Sequence, residues 1–183
     1  DTREGTAPDQ VIVDVDVEEQ PTGSLGFGAN FSTNDGFGYS VNFSERNFLG
    51  RGQSLSFDVT ATEVSGEERR RIFDTTNFGF DFVEPAFLGR DVDLALSSFW
   101  RETNEDNARF DTRRGRLSPQ LRFPVSEATR LTLRADLGYA EVLDVDRGFP
   151  EDSDEPGDTG SSAILRAEED QGGLSTVALG YTI

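Results

Sequence analysis

Apolar and polar residues alternate with a period of two along eight stretches of this 183-residue chain, and no other feature constrains its fold as strongly. In "GSLGFGANFS" Leu25, Phe27, Ala29 and Phe31 share one face. "YSVNFSE" sets Tyr39, Val41 and Phe43 against Ser40, Asn42 and Ser44, and "SLSFDVTAT" sets Leu55, Phe57, Val59 and Ala61 against Ser54, Ser56, Asp58 and Thr60. The pattern returns at Phe78, Phe80 and Phe82, at Leu94, Leu96 and Trp100, and at Leu117, Leu121, Phe123 and Val125. It closes with Leu131, Leu133, Ala135, Leu137 and Tyr139, then Val177, Leu179, Tyr181 and Ile183. Successive side chains of a strand point to opposite sides, so this is the signature of β-structure. No comparable 3.6-residue stripe competes, and the chain reads as all-β with about eight antiparallel strands.

The polar face narrows the choice. It carries small groups and charges such as Asn42, Asp58, Asp81, Arg122, Arg134 and Asp136, while Tyr39, Trp100 and Tyr139 stand toward strand ends of the apolar face. A polar interior, an apolar exterior and end-placed aromatics fit an up-and-down transmembrane barrel. A soluble sandwich also alternates, because it buries one face of each sheet, and it stays open at this point. A mean hydropathy of −0.51 does not decide, since only every second residue of a barrel strand meets lipid. No 18-residue apolar run marks a transmembrane helix.

Connection lengths alternate too. Those near 48–53, 87–91 and 126–129 are short; those near 64–71, 101–115 and 144–172 are longer, and 32–38 is modest. Outer-membrane barrels pair short periplasmic turns with longer outer loops, which predicts a periplasmic rim at the short turns. Two of these turns carry the same four residues: Phe48, Leu49, Gly50 and Arg51, then Phe87, Leu88, Gly89 and Arg90. One residue with positive φ is expected in each, with Phe and Leu at the lipid boundary and Arg reaching the headgroups. The copies start 39 residues apart, one circuit of rising strand, outer loop and descending strand. A direct ligand role for the repeat is the lesser alternative.

Composition excludes more than it proposes. The chain has no Cys and no His, which removes disulfides, thiolate and imidazole metal sites, and the usual nucleophile–histidine pairs. No catalytic residue, cofactor or metal site is expected. The net charge of −18 is concentrated at residues 1–19 and 144–170 and argues against nucleic acid as a partner. "GFGANF" lacks the third glycine and following helix of a dinucleotide loop. "EDSDEPGD" at 151–158 begins like a calcium loop but has Pro156 and Ala163 where ligands belong, so it reads as a solvated acidic loop. Arg69–Arg71 and Arg113–Arg116 are expected in outer loops, either solvated or facing lipid phosphate. "DTREGTAPDQ" has no signal-peptide core. Residues 11–21, "VIVDVDVEEQP", read as a separate strand with its partners missing, ending at a hinge.

The stretch "VDVEEQPTGSLGFGANFSTNDGFGYSVNFSERNFLGRGQSLSF" resembles the BamA family of outer-membrane assembly proteins, within the bacterial surface antigen superfamily. "EPAFLGRDVDLAL", "LSPQLRFPVSEATRLTLRADLGY" and "VALGYTI" follow in the same order. The likeness spans roughly 11–183 and is looser at 101–115 and 144–172. It implies that 1–22 end a periplasmic POTRA-like domain and that 23–183 form the N-terminal half of a sixteen-stranded barrel. The family inserts other outer-membrane proteins without nucleotide hydrolysis. Resemblance therefore implies nascent outer-membrane proteins, assembly-machine lipoproteins and outer-membrane lipid as partners. The first strand, Ser24, Leu25, Gly26, Phe27, Gly28, Ala29, Asn30 and Phe31, would be the lateral-gate edge that pairs with incoming strands. A stand-alone barrel, a translocation-assembly relative and a soluble β-sandwich binding module are the alternatives.

Overall fold

The computed structural model describes residues 2–4, 11–33, 36–63, 73–104, 109–148 and 160–183. Short strands β1 (Thr2–Glu4) and β2 (Val11–Val13) pair antiparallel in a two-stranded ribbon. Eight strands then form one continuous antiparallel sheet in sequence order: β3 (Gly23–Ser32), β4 (Gly36–Phe48), β5 (Gln53–Glu63), β6 (Phe73–Glu84), β7 (Asp93–Thr103), β8 (Asp111–Ser126), β9 (Thr129–Leu143) and β10 (Leu174–Thr182). Every neighbour in the sheet is a neighbour in sequence, so the topology is a pure up-and-down meander. The sheet is not closed: β3 and β10 are its two edges. All eight strands expected from the alternation are present.

Register turns the alternation into two continuous faces. Phe43 pairs with Phe57 and Phe57 with Phe80, Phe82 with Leu96, and Leu117 with Leu137. Rings of Phe57 and Phe80 lie 5.3 Å apart, and those of Phe31 and Phe37 4.9 Å apart. On the other face Asn42 pairs with Asp58, Asp58 with Gly79, Asp81 with Ser97, and Gln120 with Arg134. Ser118 Oγ donates to Asp136 at 2.6 Å and Asn77 to Asp58 at 3.3 Å.

Nothing in the described structure covers the apolar face. Val145 is the one buried hydrophobic residue among those described, while Phe27 is 76% and Leu179 83% exposed. A soluble sandwich would need a second sheet over that face; the described strands supply none, which sets that alternative aside. An apolar sheet face of this extent is stable against lipid, not water.

Three expectations need correction. The strand at 11–21 is only Val11–Val13, and its partner is Thr2–Glu4; a three-residue partner can hold no more of it. The outer loop expected at 101–115 is shorter, because β7 runs to Thr103 and β8 starts at Asp111. Arg113, Arg114 and Arg116 therefore lie on a strand, where neighbouring residues face opposite sides. Finally, a helix, α1 (Ala163–Gln171), interrupts the 144–173 connection. The acidic stretch 151–158 and Arg69–Arg71 lie outside the described residues.

Candidate functional site: a free strand edge and its rims

Residues 24–31 all lie on β3, whose backbone pairs with β4 on one side only. An edge strand points the N–H and C=O groups of every second residue away from its partner, ready for another strand. Side chains divide as the alternation requires. Leu25, Phe27 and Phe31 are exposed on the apolar face, and Ser24 on the other meets Ser44, Oγ to Oγ, at 3.0 Å. Gly26 and Gly28 oppose Asn42 and Ser40, whose side chains occupy the space a Cβ would take. The glycines thus serve close approach of β4 side chains as well as leaving the edge strand with little of its own to pack.

Both copies of the repeat form the same turn. Gly50 donates its N–H to Asn47 O at 2.9 Å and Gly89 to Ala86 O at 2.8 Å, and Arg51 and Arg90 donate to Phe48 O and Phe87 O at 3.3 Å each. Sequence led us to expect one positive φ per turn; the structure has at least two. Leu49 and Gly50 have φ of 57° and 70°, Leu88 and Gly89 of 56° and 71°, and Ala86 adds a third at 53°. The turns are neighbours, since a Cβ on Gly52 would lie 3.8 Å from Pro85 Cγ. A hydrogen bond from the buried Gln53 amide to the Glu84 carboxylate links the strands that leave and enter them. Sequence reading missed this pair, because neither residue belongs to the repeat. Leu49 and Leu88 are 73% and 81% exposed: strained apolar side chains held out from the rim.

At the opposite ends of the strands, Trp100 and Tyr139 stack at 5.9 Å with planes 13° apart. They flank Gly115, which pairs with both; a Cβ there would lie 2.6 Å from the indole Cε3. One rung further out, still on the apolar face, Trp100 Nε1 donates to Glu102 at 3.1 Å and Tyr139 donates to Glu141 at 2.9 Å. Arg113 bridges these carboxylates at 3.2 and 3.8 Å. Aromatic rings capped by charge at a strand end are the arrangement of an interfacial girdle. Trp100 and Tyr139 were legible as end-placed aromatics; the Glu102–Arg113–Glu141 bridge needed the register.

Beyond the girdle, the connection after β9 is clasped. Val145 N–H donates to Glu169 at 3.0 Å, and Arg147 reaches Glu169 at 2.8 Å and Asp170 at 3.3 Å. That backbone donor and the guanidinium hold the Glu169 carboxyl below its ordinary value of 4.5. Ser161 donates its hydroxyl to Arg109 O at 3.0 Å, tying this connection to the one before β8. Among the described residues no group of three His, Cys, Asp or Glu is placed to hold a metal ion.

An uncovered apolar face, a charged opposite face, an aromatic girdle and sequential antiparallel pairing define the wall of a transmembrane β-barrel. The profile of the Omp85 superfamily domain matches residues 47–182, and the chain belongs to that superfamily. It is 28% identical over 79 residues to the outer membrane protein assembly factor BamA of Buchnera aphidicola subsp. Acyrthosiphon pisum (strain APS), which covers 43% of this chain and 12% of that protein. The fold is similar to the crystal structure of BamA from Haemophilus ducreyi lacking POTRA domains 1–3, with a TM-score of 0.51 and 19% identity over 90% of this chain and 29% of that one. The chain thus spans less than a third of either relative's length.

Proposed function

We propose that this chain is part of an outer-membrane assembly protein that inserts other β-barrels, and that the β3 edge at 24–31 templates the incoming strand. Residues 1–22 are then the end of a periplasmic POTRA-like domain, and the rim of short turns faces the periplasm. Partners are nascent outer-membrane proteins, assembly-machine lipoproteins and outer-membrane lipid. The work is done by backbone groups, so the reading needs neither a cofactor nor a catalytic side chain.

The observation that carries it is the Omp85 superfamily match over residues 47–182, with β3 as the first strand of the sheet that this match continues. In hydrocarbon each unsatisfied N–H or C=O costs several kcal/mol, so an open edge at membrane depth strongly favours any strand that can pair with it. Recognition through the backbone accepts many client sequences, while alternate apolar side chains of the client continue the lipid face set by Leu25 and Phe27. Sparse packing at Gly26 and Gly28 keeps the edge exchangeable, because few side-chain contacts need to break when it releases a partner.

Cysteines placed one at a time at 24–31 in the full chain test this directly. Disulfide capture of the C-terminal strand of a nascent barrel, with one register favoured, is the expected result. No capture at any of the eight positions sinks the gate assignment and leaves β3 as an ordinary seam.

A further inference from the structure

The charged face of β7–β9 is not uniform. Toward the short-turn rim its arginines are matched: Arg122 and Arg130 reach Asp93 at 3.9 and 3.8 Å, and Arg134 reaches Asp136 at 2.8 Å. Toward the other end the matching stops. Arg101 pairs directly across from Arg114, and the residues on their other sides are Asn77 and Ala140. One rung inward Arg116 lies opposite Phe99 and Gly138, its guanidinium 5.9 Å from the Phe99 ring centroid. All three arginines are exposed, and none has a carboxylate within ion-pairing distance among the described residues. Like charges directly opposed across a ladder destabilise it, and a chain of net charge −18 has acids to spare for neutralising them. Arg116 feels the Asp136 carboxylate on the same face, but among the described residues nothing offsets the opposed charges of Arg101 and Arg114.

We infer that Arg101, Arg114 and Arg116 form an anion site on the inner wall, built for an extended acidic polypeptide segment. Opposed Cα atoms in a ladder are ~4.5–5.5 Å apart, so the guanidinium forks of Arg101 and Arg114 bracket one carboxylate from two sides. Arg116 follows Arg114 by two residues, ~6.8 Å along the strand. That is the repeat of side chains on one face of an extended chain. Carboxylates at positions i and i+2 therefore meet successive rungs together. Lipid phosphate is the poorer candidate, because these side chains share the face of Asp58, Asp81 and Asp136, opposite to Trp100, Leu117 and Tyr139. The site is separate from the β3 edge and does not depend on the gate assignment.

The test titrates the full chain in detergent micelles against a fluorescein-labelled peptide of alternating Glu and Ser, read by fluorescence anisotropy. R101Q/R114Q is expected to weaken binding by about tenfold or more. R113Q, altered on the opposite face, stays within about twofold of the parent, and R101K/R114K, which keeps the charge but loses the forks, recovers only part of the loss. Equal binding by parent and R101Q/R114Q overturns the site. So does displacement of the peptide by an equal concentration of inorganic pyrophosphate, which would make it a phosphate site. Should R101Q/R114Q fail to fold, the same comparison is made with R114Q alone, where a loss of about threefold or more is expected.

Discussion

Leu49 and Leu88 hold left-handed backbone directly before Gly50 and Gly89, a conformation that costs an L side chain ~1–2 kcal/mol. Neither leucine recovers the cost by packing, since both project from the rim. Leu49→Gly is therefore expected to raise stability in detergent slightly. About 1–2 kcal/mol of strain is relieved and ~0.5–1 kcal/mol is lost to glycine entropy, a net gain of roughly 0.5 kcal/mol seen as a higher urea midpoint. A lower midpoint would show that Leu49 is packed after all. Gly115 gives the opposite case. Gly115→Val drives a side chain into the Trp100 ring, and a loss of about 1–3 kcal/mol is expected, with the Trp100–Tyr139 stack broken and tryptophan emission shifted. Unchanged stability and emission would refute a packed girdle. The repeat was visible in the sequence as a turn, but two consecutive positive φ values were not, because leucine does not advertise them.

At the scale of elements, the connection after β9 shows what alternation misses. Helix α1 buries none of its residues, so it leaves no apolar stripe in the sequence to find. Its signals are the caps: Ser162, whose hydroxyl accepts from Leu165 N–H at 3.4 Å, and Gly172, at φ 75°. What holds it is the Glu169 clasp, and the clasp is titratable. The folded carboxyl lies below its ordinary value of 4.5, so its contribution is complete above 4.5 and is lost as pH falls through the depressed folded value. Hydrogen bonds to Glu169 and Asp170 raise the Arg147 guanidinium further, so it keeps its charge throughout. Amide protection of 163–171, corrected for intrinsic exchange, should hold at pH 7 and 5.5 and fall below pH 4; R147Q should lower it already at pH 7. Equal protection at pH 7 and 3.5 would show that other contacts hold the helix. On β2, alternation misled: Val11, Val13, Val15 and Val17 alternate like a strand, but a ladder extends only as far as its partner.

At the scale of the whole molecule, the described residues form a sheet without a core. Its two unpaired edges, β3 and β10, and its exposed apolar face leave folding in water without its main driving force. Residues 1–183 expressed alone are expected to sediment as aggregates without detergent and to gain β-sheet circular dichroism only with micelles or bilayers. A compact detergent-free monomer would overturn the membrane reading. In micelles the open edges predict association through strand pairing.

The alternating pattern by itself determined the β class, the eight strands and, away from the bulges near 45–48, 62–63 and 124–126, the face each residue takes, because side-chain direction in a regular strand follows residue parity. It also displayed the repeat that marks one rim. Tertiary structure alone decided which residues meet across strands. Register, a long-range property, set Arg101 against Arg114, joined Gln53 to Glu84 and placed Gly115 between two rings.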